Sequence, residues 1–237
     1  MTWRLSIGIA GLFLLLSCRE ATPAKAPELA RPELFLLTPL PILWGESFGI
    51  DQPGSPALRA LEEAYRVTPV DLPSQVPDGG LLLAAQPRAL PAEELVKLDA
   101  WVRRGGRLLL LADPVLEWES AIPLGDPRRA PAAFPDTGLL DHWGLRLDAP
   151  DERGPKFRGG GHFPLVFNSP GNLVSNSAHC SISRAGIVAE CHIGKGGVAI
   201  VADADWLDER QVPEREGRFA NHLSELLELL SSVGTEP

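Results

Sequence analysis

Short apolar runs predict four strands in the first half of the chain. They lie at residues 34–38, 67–70, 80–85 and 107–112 and alternate with stretches of helical periodicity. The run at 80–85, Gly-Leu-Leu-Leu-Ala-Ala, has no polar side chain, which is typical of a parallel strand covered on both faces. Because the links between these strands and the helices are short, the pattern predicts a right-handed, mostly parallel sheet.

Two helices are predicted between these strands. Ser55 can cap a helix that begins at Pro56, since a serine side chain accepts from the free N–H groups of the first turn and proline fits the first helical position. A second helix follows Pro91 and ends at the glycine pair 105–106, which favours a left-handed cap. Its predicted buried stripe consists of Leu95, Leu98 and Val102.

The pattern changes between about residues 115 and 192. Prolines and glycines are frequent there, and Thr137 to Trp143 is the one convincing short helix, so this segment is predicted to be an insertion of loops and hairpins. The parallel pattern resumes with an apolar strand at 197–202, and an amphipathic helix is expected over about residues 214–231. We therefore expect one α/β domain over residues 33–237, with helices on both faces of its sheet.

The N-terminus is typical of a bacterial lipoprotein. A charged start with Arg4 and an apolar run of about a dozen residues lead to Leu15-Leu16-Ser17-Cys18, which matches the lipobox. We expect residues 1–17 to be removed and Cys18 to be acylated, with palmitate among its chains. Residues 18–32 are rich in proline and alanine and fit a spacer. A plain signal peptide or a short anchor helix is the alternative.

This N-terminus predicts a protein of the cell envelope that faces the periplasm, with the inner or the outer membrane left open. Such a compartment is poor in nucleotides, so no cofactor is expected. The chain has 31 Asp and Glu residues against 22 Lys and Arg residues, a formal net charge of −9. That balance argues against nucleic acid as a partner, because binding to phosphates needs a basic surface.

Several segments resemble a known family. They are LPAEELVKLDAWVRRGGRLLL at 90–110, LLDHWGL at 139–145, GKGGV at 194–198 and DAD at 203–205. Together they resemble the glutamine-amidotransferase-like domain of auxiliary proteins in uncharacterised ABC transport systems, including gliding-motility-type ones. The resemblance implies a flavodoxin-like fold and an envelope partner such as an ABC permease complex.

The resemblance also implies that the domain lacks amidotransferase chemistry. True class I amidotransferases carry a nucleophilic cysteine on a turn after a central strand. Here Gln86 and Asp113 follow the two candidate strands, and without a thiolate no glutaminyl thioester can form. We therefore predict a non-catalytic binding protein.

The other two cysteines, Cys180 and Cys191, flank a turn centred on residues 184–186. Opposed positions of an antiparallel pair lie within the reach of a disulfide, and an exported protein meets an oxidising compartment. A disulfide is predicted, with two buried thiols or a slipped register as alternatives. A metal site that adds His179 and His192 would need a bulge, because neighbouring strand residues point to opposite faces. No metal is expected.

One motif points to a different class of function. Gly45-Glu46-Ser47-Phe48-Gly49 matches the Gly-x-Ser-x-Gly elbow of serine hydrolases, and Ser47, Asp203 and His222 follow the chain order of a triad. The elbow needs a strand before it and a helix after it, whereas prolines surround it here. A periplasmic serine hydrolase or esterase that uses Ser47 is therefore the alternative function.

The candidate site is a cleft at the carboxyl ends of the parallel strands, where open α/β sheets bind ligands. Its carboxylates would accept hydrogen bonds from a polar ligand or partner segment, and its tryptophans would form apolar walls. In the alternative interpretation the aspartates cap turns and the tryptophans fill the core. The candidate cleft residues are Trp44, Glu46, Ser47, Gln86, Asp113, Asp203, Asp205 and Trp206.

Overall fold

The structure is a computed structural model that describes residues 31–46, 54–158, 165–211 and 218–234. The predicted signal segment, Cys18 and most of the spacer lie outside the described residues, and so does Ser47. The strands are β1 (Glu33–Leu37), β2 (Arg66–Pro69), β3 (Leu81–Ala85), β4 (Arg107–Leu111), β5 (Leu145–Asp148), β6 (Pro155–Arg158), β7 (Leu165–Asn168), β8 (Asn172–Ser175), β9 (Cys180–Ser183), β10 (Val188–Ile193) and β11 (Gly196–Val201). The helices are α1 (Pro56–Ala64), α2 (Ala92–Arg103), α3 (Leu139–His142) and α4 (Arg218–Ser232).

A seven-stranded sheet in the order β2-β1-β3-β4-β11-β10-β9 forms the centre of the fold. The first five strands in this order are parallel, and β10 and β9 add an antiparallel edge. All five residues of β3 and all six of β11 are buried, as expected for strands covered on both faces. The predicted α/β class with a mostly parallel sheet is confirmed.

The segment expected to be an insertion is divided between two environments. Strands β5 and β8 form one antiparallel pair outside the central sheet, and β6 and β7 form another. Strands β9 and β10, in contrast, belong to the central sheet, because β10 pairs with β11 along its whole length from Val188↔Val201 to Ile193↔Gly196. The last part of the expected insertion therefore supplies the antiparallel edge of the sheet.

The helices cover both faces of the sheet. Helices α1 and α4 pack on one face, where Leu61 and Leu230 are fully buried. Helices α2 and α3 pack on the other, through residues such as Val102 and Leu140. The predicted capping of α1 is confirmed, because the Leu58 N–H donates to Ser55 Oγ at 3.1 Å.

Helix α2 differs from its predicted packing at one position. Leu98 and Val102 are buried as predicted, but Leu95 is only half-buried, and Trp101 is 4 % exposed. The Trp101 indole N–H donates to the Pro77 carbonyl at 2.8 Å, so this large side chain is held without an unsatisfied polar group. A Cβ at Gly106 would lie 2.4 Å from the Trp101 ring, so the second glycine is needed for this close approach.

Within the described ranges, no helix combines the length and the apolar character that crossing a membrane requires.

Candidate functional site

A cleft of about 460 Å³ opens where β1, β2 and β3 end. Thr38 follows β1, Val70 follows β2 and Arg88 follows β3, and all three line the cleft. Trp44 lies on its wall with 61 % of its surface exposed, and Glu46 lies beside it. The cleft is therefore at the carboxyl edge of the parallel strands, the place where open α/β sheets bind ligands.

Backbone carbonyls hold two arginine side chains of the cleft. The Arg88 guanidinium donates to the carbonyls of Arg128 at 3.1 Å and Arg129 at 2.7 Å, and Arg129 donates to the Ile122 carbonyl at 2.7 Å. Neither Arg88 nor Arg129 forms an ion pair with a carboxylate of the described chain. Both side chains are thus fixed by neutral carbonyls, and their charges are not neutralised by ion pairs.

The candidate residues from the sequence fall into two groups. Trp44 and Glu46 line the open cleft, and Glu46 Oε2 accepts from the Ala121 N–H at 2.7 Å. The others that the structure describes are at most 2 % exposed, namely Gln86, Asp113, Asp203, Asp205 and Trp206. The expectation that the aspartates offer their carboxylates to a ligand in the open cleft is wrong for this structure, because they are turned into the protein interior.

Gln86 links the ends of two neighbouring strands. Its Nε2 donates to the carbonyls of Asp113 at 3.1 Å and Pro131 at 3.0 Å, and its Oε1 accepts from the Asp113 N–H at 2.9 Å. The backbone of Gln86 has a φ of 48°, which is uncommon for a residue with a side chain. Its buried amide is fully used in holding the turn after β4.

The Asp113 and Asp203 carboxylates accept backbone hydrogen bonds. Asp113 Oδ1 accepts from the Val115 N–H at 2.7 Å, and Oδ2 accepts from the Ala204 N–H at 3.0 Å. Asp203 Oδ2 accepts from the Asn168 N–H at 2.7 Å. These bonds join the loops after β4, β7 and β11, so both side chains have the turn-capping role that the alternative interpretation gave them.

Asp205 and Trp206 complete the turn after β11. Asp205 Oδ2 accepts from the Glu117 N–H at 2.7 Å, whereas Oδ1 is buried and has no hydrogen-bond partner. The Trp206 backbone N–H donates to Asp203 Oδ1 at 3.0 Å, and the Trp206 ring stacks on Phe167 with centroids 5.6 Å apart. Trp206 is a core residue and does not line the cleft.

The three aspartates form a compact buried cluster. Each offers a carboxylate oxygen, and these oxygens lie within 4.8 Å of one another. Burial raises the pKa of Asp113 to about 6, and burial together with the Asp113 charge raises the pKa of Asp205 to about 8. The pKa of Asp203 is also raised, first by burial and then by its two acidic neighbours. Among the described residues, this is the group of acidic, histidine and cysteine side chains that could hold a metal ion.

A polar network that the sequence did not reveal surrounds this cluster. The Glu117 carboxylate accepts from Asn168 Nδ2 at 2.9 Å and from the Ser169 hydroxyl at 2.8 Å. Gln211 Nε2 donates to the Glu117 carbonyl at 3.1 Å. These partners are separated by 51 to 94 positions along the chain, so no local pattern predicts their contact.

The predicted disulfide between Cys180 and Cys191 is present. The two residues are directly opposed in the β9–β10 register, with Cα atoms 4.1 Å apart. Both sulfur atoms are used by this bond, so the alternative of a metal site made with His179 and His192 is wrong for this state of the protein.

His222 lies in the core, on α4. It is 1 % exposed, its Nε2 accepts from the Val166 N–H at 3.0 Å, and its Nδ1 has no hydrogen-bond partner in the described chain. A catalytic triad needs a hydrogen bond between the carboxylate and the imidazole. Asp203 and His222 do not make that bond. A triad with Ser47 therefore lacks the hydrogen bond that would orient its general base.

The burial of His222 predicts a pH dependence of stability. Burial lowers its pKa to about 4, whereas an unfolded histidine titrates near pH 6.5. Between these values the unfolded state binds the extra proton, so the contribution of His222 to the free energy of unfolding should fall as the pH drops, by up to about 1.4 kcal/mol per pH unit. The raised pKa values of Asp113 and Asp205 act in the opposite direction, so the contribution of His222 is the difference in slope between the wild type and His222→Gln. Urea unfolding from pH 7 to pH 4 measures the slope.

The control compares two histidines. His222→Gln should remove this part of the slope, while His179→Gln, at an exposed side chain without an ion pair among the described residues, should leave it unchanged. An unchanged slope in His222→Gln would show that other groups cause it.

A family match covers the part of the chain that forms the cleft. The family is described as an uncharacterized ABC-type transport system, and its model matches residues 31–151, about half of the chain. The chain belongs to this family. Membership implies an auxiliary component of an ABC-type transport system. All residues that line the cleft lie between positions 37 and 132, inside the matched segment.

Similar solved structures support the fold. The mmIFT52 N-terminal domain is 13 % identical with a TM-score of 0.54, and the match covers 86 % of this chain and 100 % of that domain. An exo-β-1,4-mannosidase, Op5Man5 from Opitutaceae bacterium strain TAV5, is 16 % identical with a TM-score of 0.51, and the match covers 85 % of this chain. The chain spans 36 % of the mannosidase's length. At these identities the likeness shows the fold alone. No curated protein matches the chain.

Proposed function

We propose that this protein is a non-catalytic, lipid-anchored binding component of an ABC-type transport or envelope-assembly system. Cys18 holds it at an envelope membrane, and the domain faces the periplasm. The cleft at the carboxyl edge binds a segment of an envelope partner, such as the permease complex. The observation that carries this proposal is the family match over residues 31–151, which contains the whole cleft lining.

The side chains of the cleft indicate what the partner segment offers. Arg88 and Arg129 bring positive charge that no described carboxylate pairs with, and Trp44 supplies an exposed apolar surface next to them. Aromatic and arginine side chains are the ones that most often dominate binding energy at protein interfaces. The cleft therefore suits a segment that carries an acidic group beside an apolar side chain.

The proposal that the domain is non-catalytic rests on the strand ends. In an amidotransferase-like, flavodoxin-like domain the nucleophile would follow a central strand. Gln86 and Asp113 occupy those positions, and both are fully buried in hydrogen bonds that hold turns. The alternative, a hydrolase that uses Ser47, lacks support because His222 is bonded to the Val166 N–H and not to Asp203.

Trp44→Ala should weaken partner binding without destabilising the fold. The side chain is 61 % exposed, so its removal leaves the core unchanged, whereas loss of an aromatic anchor from an interface costs at least about 1.4 kcal/mol, a tenfold loss of affinity. The measurement is co-purification from detergent-solubilised membranes, with the permease and ATPase subunits identified by mass spectrometry.

Val96→Ala is the matched control, because Val96 is also exposed and apolar but lies on α2, outside the cleft. This variant should retain the subunits at the wild-type level. Equal retention by Trp44→Ala and wild type would contradict the cleft as the binding surface.

A further inference from the structure

The buried cluster of Asp113, Asp203 and Asp205 has no cationic partner. All three are 0 % exposed, and none forms an ion pair with a Lys, Arg or His of the described chain. A buried carboxylate is strongly unfavourable unless a counter-charge or a proton compensates it. Three of them together therefore need either bound protons or a cation in the cluster.

A second observation concerns a single oxygen atom of the cluster. Backbone N–H groups satisfy both carboxylate oxygens of Asp113 and of Asp203. Asp205 has a backbone donor for Oδ2 alone, and its Oδ1 is buried without a partner. Buried acceptors are nearly always satisfied, so an orphaned carboxylate oxygen next to two further carboxylates points to a ligand that binds carboxylate oxygens.

We propose that Asp113, Asp203 and Asp205 bind one divalent cation of the calcium class. The inference is independent of the proposed function of the cleft. All the ligand atoms are carboxylate oxygens, which hard cations prefer over the nitrogen and sulfur ligands typical of zinc. The backbone N–H bonds hold Asp113 and Asp203 in place, so a cation would meet ligands that are already oriented.

Coordination geometry, not the spacing of the oxygens, favours calcium over magnesium. Mg²⁺ demands a nearly ideal octahedron of ligands at about 2.0 to 2.1 Å, whereas Ca²⁺ accepts oxygens at about 2.3 to 2.6 Å. Calcium also tolerates irregular geometry, which suits three side chains from the ends of two strands.

Glu117 lies between the cluster and an opening at the surface. It is half-buried and lines an opening next to the main cleft, together with Trp118 and Asp208. Its backbone N–H donates to Asp205 Oδ2, so the cluster lies directly behind it.

The test is calcium binding by the full chain after treatment with EDTA. Equilibrium dialysis against micromolar to millimolar CaCl₂, with metal counted by mass spectrometry, should give one Ca²⁺ per chain and weaker binding of Mg²⁺. Thermal unfolding at constant ionic strength should show an increase in Tm of several degrees with CaCl₂. Asp205→Asn has the same shape and keeps an acceptor for the Glu117 N–H, but it should lose at least tenfold in calcium affinity.

Asp141→Asn is the control, because it removes the same charge from an exposed position. It should bind calcium as the wild type does. The proposal is overturned if the wild type binds no calcium at millimolar concentration, which would leave protons as the compensating charge, or if Asp205→Asn binds as tightly as the wild type. Should Asp205→Asn not fold, Asp113→Asn is measured in the same way and has the same two decisive outcomes.

Discussion

Replacing Cys18 by serine should release the protein from membranes or leave it unprocessed. The expectation follows from Leu15-Leu16-Ser17-Cys18, in which the thiol is the acceptor for the lipid. Each acyl methylene buried in a bilayer contributes about 0.8 kcal/mol, so several chains hold a protein firmly and their loss removes that hold. Fractionation of cells and the mass of the mature protein measure the effect.

The control for this variant removes the other two cysteines. Cys180→Ser combined with Cys191→Ser should still fractionate with membranes, since neither residue is at the lipobox. A Cys18→Ser protein that stays in the membrane fraction with the wild-type mature mass would refute the lipid anchor.

Removing the Cys180–Cys191 disulfide should lower the free energy of unfolding by about 2 to 4 kcal/mol. The bond closes a loop with a sequence separation of 11, and cross-links of this length stabilise mainly by restricting the unfolded chain. It also ties β9, whose residues are half-buried or exposed, to the well-buried β10. Denaturant unfolding of the double serine variant measures the loss.

Alkylation provides the independent check on this bond. The unreduced, exported protein should show no free thiol at positions 180 and 191, and reduction should expose two. Two alkylatable thiols before reduction would show that the bond does not form in the cell.

The sequence predicted the parallel part of the fold because its signals are local. The run Leu81–Ala85 is apolar at every position, and Ser55 before Pro56 is a complete helix-start signal. Both depend on nearest neighbours in the chain. The placement of β9 and β10 in the central sheet depends instead on which strand β10 pairs with, and hairpin patterning alone does not determine that partner.

The candidate site was predicted in position but not in detail. Strand ends converge in any parallel sheet, so Asp113 and Asp203 were correctly placed near each other. Whether an aspartate after a strand faces solvent or accepts from distant N–H groups depends on loops such as the one that carries Asn168, 35 residues from Asp203. The arginines of the cleft were missed for the same reason, since Arg88 is fixed by carbonyls 40 and 41 residues away.

The catalytic role suggested for His222 also rested on chain order alone. Its order after Ser47 and Asp203 matched a triad, but its position on the inner side of α4 places the ring 5.9 Å from Trp206, in an apolar environment. Chain order carries no information about which face of a helix is buried. The amphipathic pattern of α4 does, and it favours a core histidine.

The central claim is that this family member contacts a transport complex through the cleft, and site-specific photo-cross-linking in cells tests it most directly. A photoreactive amino acid at position 44, in the cleft wall, should cross-link to a membrane subunit of the ABC-type system, whereas the same amino acid at position 96, on the exposed side of α2, should not. Absence of any such product from position 44, or equal products from both positions, would contradict the account.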